Sequence, residues 1–186
     1  SERIPPDVIT YNSALNSCAV NSQWQISLVL LEEAFSNSLA DAVTYGTTIL
    51  ACEKGGQWES ALQIFNALSN DSKDVFIYTS VMGACTQARQ WESALGLFAE
   101  MQQFSLRTGV VSYTAAIDAC GCGSRWQEAV FLLAQLQSMP HDFPNLMTYT
   151  AVAAACEEQG LWRQVLQLLT EVQPDVTLYD LAIKAC

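Results

Sequence analysis

Seven cysteines and one histidine are the side chains of this 186-residue chain best suited to hold a metal or attack an electrophile. Cys120 and Cys122 form a C-x-C pair, which can begin a thiolate site. A structural zinc needs four ligands, and no second pair stands nearby. The only histidine, His141, lies in the Pro140-His-Asp-Phe-Pro144 loop with no second histidine to join it. A zinc deaminase would need H-x-E with a C-x-x-C, a hydrolase a nucleophile beside a base, and a nucleotide site a glycine-rich phosphate loop. The sequence contains none of these motifs. The expectation is no catalytic residue, no metal and no cofactor.

The cysteines instead keep time. Tyr11, Tyr45, Tyr78, Tyr113, Tyr149 and Tyr179 are each followed seven residues later by Cys18, Cys52, Cys85, Cys120, Cys156 and Cys186. Five of the tyrosines have a tryptophan thirteen residues on: Trp24, Trp58, Trp91, Trp126 and Trp162. Successive tyrosines are 30 to 36 residues apart. A fixed internal phase with a slightly variable period marks a solenoid, one supersecondary unit copied and stacked. Six cysteines in one phase are then small buried packing residues. Neighbouring helices also stand farther apart than a disulfide spans, which points to a reducing compartment.

Within a unit, Val43, Thr44, Tyr45, Thr48, Ile49 and Cys52 fall at helical spacing, Gly55-Gly56 breaks the chain, and Trp58, Ala61, Leu62, Phe65 and Leu68 begin a second stripe. Asn70 to Ser72 mark the loop to the next unit. The residue before each cysteine is small (Ser17, Ala51, Ala84, Ala119, Ala155, Ala185), which lets first helices approach closely. The tyrosines and tryptophans are expected to fill the gaps between helix layers. Each unit is helix, tight turn, helix, loop, over 8–41, 42–74, 75–109, 110–145 and 146–175, with a partial unit 176–186. The chain opens without Met, and Tyr179 to Cys186 is a first helix without its partner, so a segment of a longer protein is expected.

Apolar residues make up 51% of the chain, enough for a continuous core, yet no run approaches the length of a membrane span. Membrane insertion is not expected. The formal net charge is −11, from 8 basic and 19 acidic residues, which weighs against non-specific attraction to polyanions.

The stretches Asp7-Val-Ile-Thr-Tyr-Asn-Ser-Ala-Leu15, Glu53-Lys-Gly-Gly-Gln-Trp-Glu-Ser-Ala-Leu-Gln-Ile-Phe65 and Trp91-Glu-Ser-Ala-Leu-Gly-Leu-Phe-Ala-Glu-Met101 resemble the pentatricopeptide repeat family. The resemblance runs through five units and the start of a sixth. It implies an all-α fold, an α-solenoid of helix-turn-helix repeats wound into a right-handed superhelix whose first helices line a concave groove. It further implies an organellar protein, of plastid or mitochondrion, that binds single-stranded RNA one base per repeat. In the family the residue after the repeat tyrosine and the last residue of the repeat choose the base, and apolar side chains two positions before the tyrosine sandwich it.

Carried over, Asn12 with Asp41 resembles a uracil pair, Thr114 with Asn145 an adenine pair and Thr150 with Asp175 a guanine pair. Gly46 with Asp74 lacks the first side chain and Thr79 with Gly109 the second, so the implied string is U-N-N-A-G. The sandwiching positions are Ile9, Val43, Phe76, Val111 and Met147. Two plainer readings stand beside these. Asp7, Asp41, Asp74, Asn145 and Asp175 each precede a helix and suit N-caps, and the five apolar residues suit inter-repeat packing. Basic residues to meet phosphates are few: Lys54 stands near a first-helix end, but its equivalents are Val20, Gln87, Cys122 and Glu158. The sequence therefore leaves two functions open, an RNA-binding module and a protein–protein scaffold in a large organellar assembly.

Overall fold

A computed structural model describes residues 7–157, 159–171 and 183–184. Asp175 and Tyr179 lie outside the described residues, as does the partial unit 176–186 apart from Ile183 and Lys184. The described residues form ten α-helices and no strand: α1 Val8–Val20, α2 Trp24–Ser36, α3 Ala42–Lys54, α4 Trp58–Ala67, α5 Val75–Gln87, α6 Trp91–Gln103, α7 Val110–Cys122, α8 Trp126–Gln137, α9 Leu146–Glu157 and α10 Trp162–Glu171. A 3-10 turn, Asn70–Ser72, lies in the loop between α4 and α5.

Each first helix begins where a short polar side chain can receive its unpaired N–H groups. The carboxylates of Asp7, Asp41 and Asp74 accept the backbone N–H of Thr10, Thr44 and Ile77, each at 2.8 Å. Asn145 accepts that of Thr148 at 3.0 Å. Gly109 has no side chain to offer, and there the bond runs the other way, from the Gly109 N–H to the Ser112 hydroxyl at 3.0 Å.

The same helices end in a shared device. The N–H groups of Gln23, Gln57, Arg125 and Leu161 donate to the carbonyls of Cys18, Cys52, Cys120 and Cys156, five residues back. This is the long bond of a Schellman-type stop. It requires one left-handed residue, supplied at one phase of every repeat by Ser22 (φ 55°), Gly56 (68°), Arg89 (57°), Ser124 (56°) and Gly160 (66°).

The helices group into two compact units. In the first, which ends at Ala88, α1, α3 and α5 pack side by side in chain order, α2 packs on α1 and α3, and α4 on α3 and α5. In the second, which begins at Arg89, α7 packs on α9, α8 on both, α6 on α7 and α10 on α9. Neither stripe of a hairpin can be buried by its own partner alone, so the next hairpin covers it.

The sequence periodicity has direct causes in this packing. The Phe65 ring of α4 meets Tyr78 of α5 edge-on, centroids 4.9 Å apart, and Phe98 of α6 meets Tyr113 of α7 in the same way at 5.1 Å. Tyr78 and Tyr113 are thus seats for the preceding second helix, and burying such a side chain contributes about 1.5–3 kcal/mol. Ala51, Ala84, Ala119 and Ala155 are fully buried, as are Cys52, Cys85, Cys120 and Cys156. Cys18 and Cys122 are only partly covered, and none of the six described cysteines is in a disulfide. Burial pushes the thiols of Cys52 and Cys85 up to about 11 and that of Cys120 to about 12. The tryptophans Trp24, Trp58, Trp91 and Trp126 are half-buried rather than enclosed.

Candidate functional site

The five apolar residues two positions before each tyrosine stand on the first turns of α1, α3, α5, α7 and α9. Ile9, Val43, Phe76, Val111 and Met147 retain 74, 57, 48, 69 and 71% of their exposure. Ile9, Val43, Val111 and Met147 are mostly open, whereas the Phe76 ring also packs on the preceding repeat at Gly46. Within each compact unit, apolar groups held outward at one phase leave steps on which flat rings can lie.

Beside two of these steps a polar network is already assembled. In the first unit, the Asn12 amide Nδ2 lies 3.3 Å from Asp41 Oδ1, and the Thr44 hydroxyl lies 2.8 Å from Asn12 Oδ1. Thr44 also returns to its own cap, 2.8 Å from Asp41 Oδ1, while the Asp41 N–H donates to its hydroxyl at 3.1 Å. Hydrogen bonds from Thr44 and Asn12 outweigh a modest desolvation and hold the Asp41 carboxyl below its ordinary value, although burial is the largest single influence and acts upward. In the second unit, the Thr114 hydroxyl stands 2.8 Å from that of Thr148, which in turn reaches Asn145 Oδ1 at 3.0 Å. Capping and pairing therefore coexist: Asp41 and Asn145 receive helix N–H groups, and each is also linked to the residue after the tyrosine of its own repeat, Asp41 directly and Asn145 through Thr148.

The remaining positions differ. Gly46 is covered by the Phe76 ring, whose Cδ1 and Cε1 would lie 3.0 Å from a Cβ placed there. The aromatic ring occupies the room a reading side chain would need, and Asp74 is left with its cap alone. Thr79 turns its hydroxyl back to the Val75 and Phe76 carbonyls at 2.9 and 3.0 Å. Gly109 faces Asp142, whose carboxylate is 3.9 Å from Arg107. Thr150 bonds the Leu146 carbonyl at 2.8 Å, and its sequence partner Asp175 lies outside the described residues.

Charge at the surface is predominantly negative, and several cations are engaged. Lys73 sits 4.1 Å from the centre of the Phe65 ring, Arg125 pairs with Glu128 and stacks 5.2 Å from Trp91, and Arg107 pairs with Asp142. Near the end of α3, Glu53 lies against Gly83 of α5, where a Cβ would stand 2.8 Å from its carboxyl carbon. Desolvation there raises the Glu53 carboxyl to about 7, with the charge of Lys54 acting weakly against it. Among the described residues no group of three or more His, Cys, Asp or Glu is placed to hold a metal. No described helix is long and apolar enough to cross a membrane.

A model of the PPR repeat family matches residues 73–122, and a model of the PPR repeat matches residues 43–71 and 111–140. The chain belongs to the pentatricopeptide repeat family. Curated protein sequences give no match to it. Its fold is that of pentatricopeptide repeat proteins of known structure. PPR10 from maize is 26% identical over 94% of this chain, with a TM-score of 0.69. PPR10 in complex with an 18-nucleotide psaJ RNA element gives 0.73 over 92%, again at 26% identity. The chain spans 26% of the length of either PPR10 structure. The PPR domain of Arabidopsis thaliana protein-only RNase P 1, in complex with tRNA, superposes with a TM-score of 0.71 at 15% identity, over 93% of this chain and 95% of that one. At that identity it shares the pentatricopeptide repeat fold alone.

Sequence reasoning found the polar positions but not the hydroxyl that joins them. Thr44 and Thr148 stand just before a repeat tyrosine, where they pass for members of a helical stripe. The detectable signal is the recurrence of Thr or Ser at that position in Thr10, Thr44, Ser112 and Thr148, broken by Ile77 and Leu178.

Proposed function

We infer that this pentatricopeptide repeat segment binds single-stranded RNA without catalysing its conversion, one base per repeat along its first helices. The reading is carried by one observation: two polar networks, Asn12–Asp41–Thr44 and Thr114–Thr148–Asn145, each stand beside outward-facing apolar side chains. Short hydrogen-bonding groups on a rigid helix distinguish Watson–Crick edges, and exposed apolar groups on either side hold the ring flat. The likeness to PPR10, solved with RNA bound, supports the same use. The proposed preference is U-N-N-A-G, read 5′ to 3′ along the chain, with the second letter unread because Phe76 covers Gly46. The proposed setting is a plastid or mitochondrion. Equilibrium binding of a short strand containing UNNAG, against a scrambled strand at about 150 mM salt, tests the proposal. Equal affinity for both strands rejects it.

A second reading has its own support in the net charge of −11 and in Lys73, Arg107 and Arg125 being engaged within the protein. On that reading the chain is a scaffold docked on other proteins of an organellar assembly. Native mass determination of the particle from its source separates the two: a stoichiometric protein partner without RNA favours the scaffold.

A further inference from the structure

We propose that Thr44 and Thr148 are specificity-determining positioning residues: each fixes the hydrogen-bonding face that the preceding repeat presents to a base. The inference rests on the RNA-binding reading above and deepens it.

The argument begins with the two possible orientations of the Asn12 amide, which differ by exchange of Oδ1 and Nδ2. One end of the amide faces the Asp41 carboxylate, at 3.3 and 3.5 Å from its two oxygens. An amide oxygen there would oppose an anion, so the Nδ2 group must occupy that side. The oxygen then faces the Thr44 hydroxyl at 2.8 Å. That hydroxyl has a single proton and two acceptors at equal distance, Asn12 Oδ1 and Asp41 Oδ1. Asp41 Oδ1 already receives the Thr44 N–H at 2.8 Å, whereas Asn12 Oδ1 has no other described donor. The hydroxyl bridges the reader and its cap, and holds the Asn12 oxygen on that side. Asn12 is thus fixed with its second amide hydrogen left for an incoming base.

Thr148 does the corresponding work beside a hydroxyl reader. Asn145 Oδ1 receives both the N–H and the hydroxyl of Thr148, each at 3.0 Å. The Thr148 hydroxyl also stands 2.8 Å from that of Thr114, which is itself 2.8 Å from the Val110 carbonyl. Thr114 is thus held between its own helix and the hydroxyl of the next repeat. The two networks present different faces because the reader is an amide in one and a hydroxyl in the other.

The other repeats behave as this account requires. Where Ile77 replaces the hydroxyl, the preceding reader is Gly46 and there is nothing to orient. Where Ser112 follows Gly109, its hydroxyl closes on the glycine's own backbone, at 3.0 Å from both the N–H and the carbonyl. Thr44 and Thr148 are fully buried, so neither reaches a base itself.

The test measures discrimination rather than affinity. Wild type, Thr44→Val, Thr44→Ser and Thr148→Val are titrated with UNNAG strands carrying each base in turn at the first and fourth letters. Losing one oriented hydrogen bond changes a binding ratio by about three- to tenfold. Thr44→Val is expected to erase that much preference at the first letter and leave the fourth unchanged, Thr148→Val the reverse, and Thr44→Ser to restore the first. A purely structural role would weaken all strands by one factor and keep every ratio. Uniform weakening, or full discrimination by the valine variants, overturns the inference while wild-type selectivity still upholds RNA binding. A wild-type chain that discriminates no strand overturns the RNA reading, and this inference falls with it.

Discussion

The Trp24 indole on α2 lies against the turn that follows α3, so close to Gly55 that a Cβ on that glycine would enter the ring. Trp91 of α6 stands in the same relation to Gly123, where a Cβ would be 2.7 Å from Cδ2. This contact accounts for the half-burial of the tryptophans: one face is seated on the next hairpin's turn, the other is open. Gly55→Ala and Gly123→Ala are each expected to cost about 1–3 kcal/mol through overpacking. Gly96→Ala, in mid-helix with nothing within 4 Å, should instead stabilise by about 0.5–1 kcal/mol. Urea unfolding of the three variants checks the contrast, and equal effects would refute it.

The left-handed phase gives a second prediction. Ser22, Arg89 and Ser124 hold positive φ where Gly56 and Gly160 hold it without steric cost. A left-handed non-glycine residue costs about 1–2 kcal/mol, partly offset by the greater unfolded freedom of glycine. Ser22→Gly, Arg89→Gly and Ser124→Gly should each raise stability by about 0.5 kcal/mol, and Gly56→Ala should lower it by about 1 kcal/mol. Thermal melts of the single variants and the triple glycine variant test additivity as well as sign.

Glu53 makes stability depend on pH. Its carboxyl rises from 4.5 to about 7 because it is pressed between α3 and α5. A raised value means the native state holds the proton more tightly. The contribution is complete below about pH 4.5 and is lost as pH climbs through 7. Glu53→Gln should therefore be more stable than wild type at pH 8, by about 1–2 kcal/mol after solvent screening, with a smaller gap at pH 5. An advantage that is constant across both pH values would show that desolvation is not its cause.

The exposed steps can be separated from the core by experiment. Val111→Ala and Met147→Ala, at side chains open to solvent, should shift unfolding by less than about 0.5 kcal/mol. On the proposed function each weakens binding of the UNNAG strand by about 1 kcal/mol, the loss expected for a methylene or two of apolar contact. Loss of stability without loss of RNA affinity would return these residues to a packing role.

Thiol labelling should follow burial. Reaction goes through the thiolate, and Cys52, Cys85 and Cys120 are held at about 11 to 12. At pH 8 the partly covered Cys18 and Cys122 should be modified first, and the buried three only upon unfolding. Mass mapping after a short pulse of iodoacetamide gives the order directly.

The architecture was legible because each periodic residue has one geometric task that few others can perform. Tyr78 and Tyr113 receive a phenylalanine edge, Ala84 and Ala119 permit close helix approach, and a cysteine fits where a larger side chain would not. The site was only half legible. Asn12, Asp41, Thr114 and Asn145 were implied by the resemblance to the family, but Thr44 and Thr148 were not, because a buried hydroxyl and a methyl look alike in a helical stripe. The covering of Gly46 by Phe76 was equally hidden, since it depends on a ring from the following repeat turning back over the glycine.

The splitting of each network across two hairpins has a consequence for modular engineering. Asn12 and Asp41 come from one repeat and the orienting Thr44 from its successor. On the proposed function, a hairpin transplanted alone would carry an unfinished letter whose meaning changes with the neighbour it is given. On that reading the natural unit of exchange is longer than the repeat: it runs from the opening turns of one first helix through the opening turn of the next.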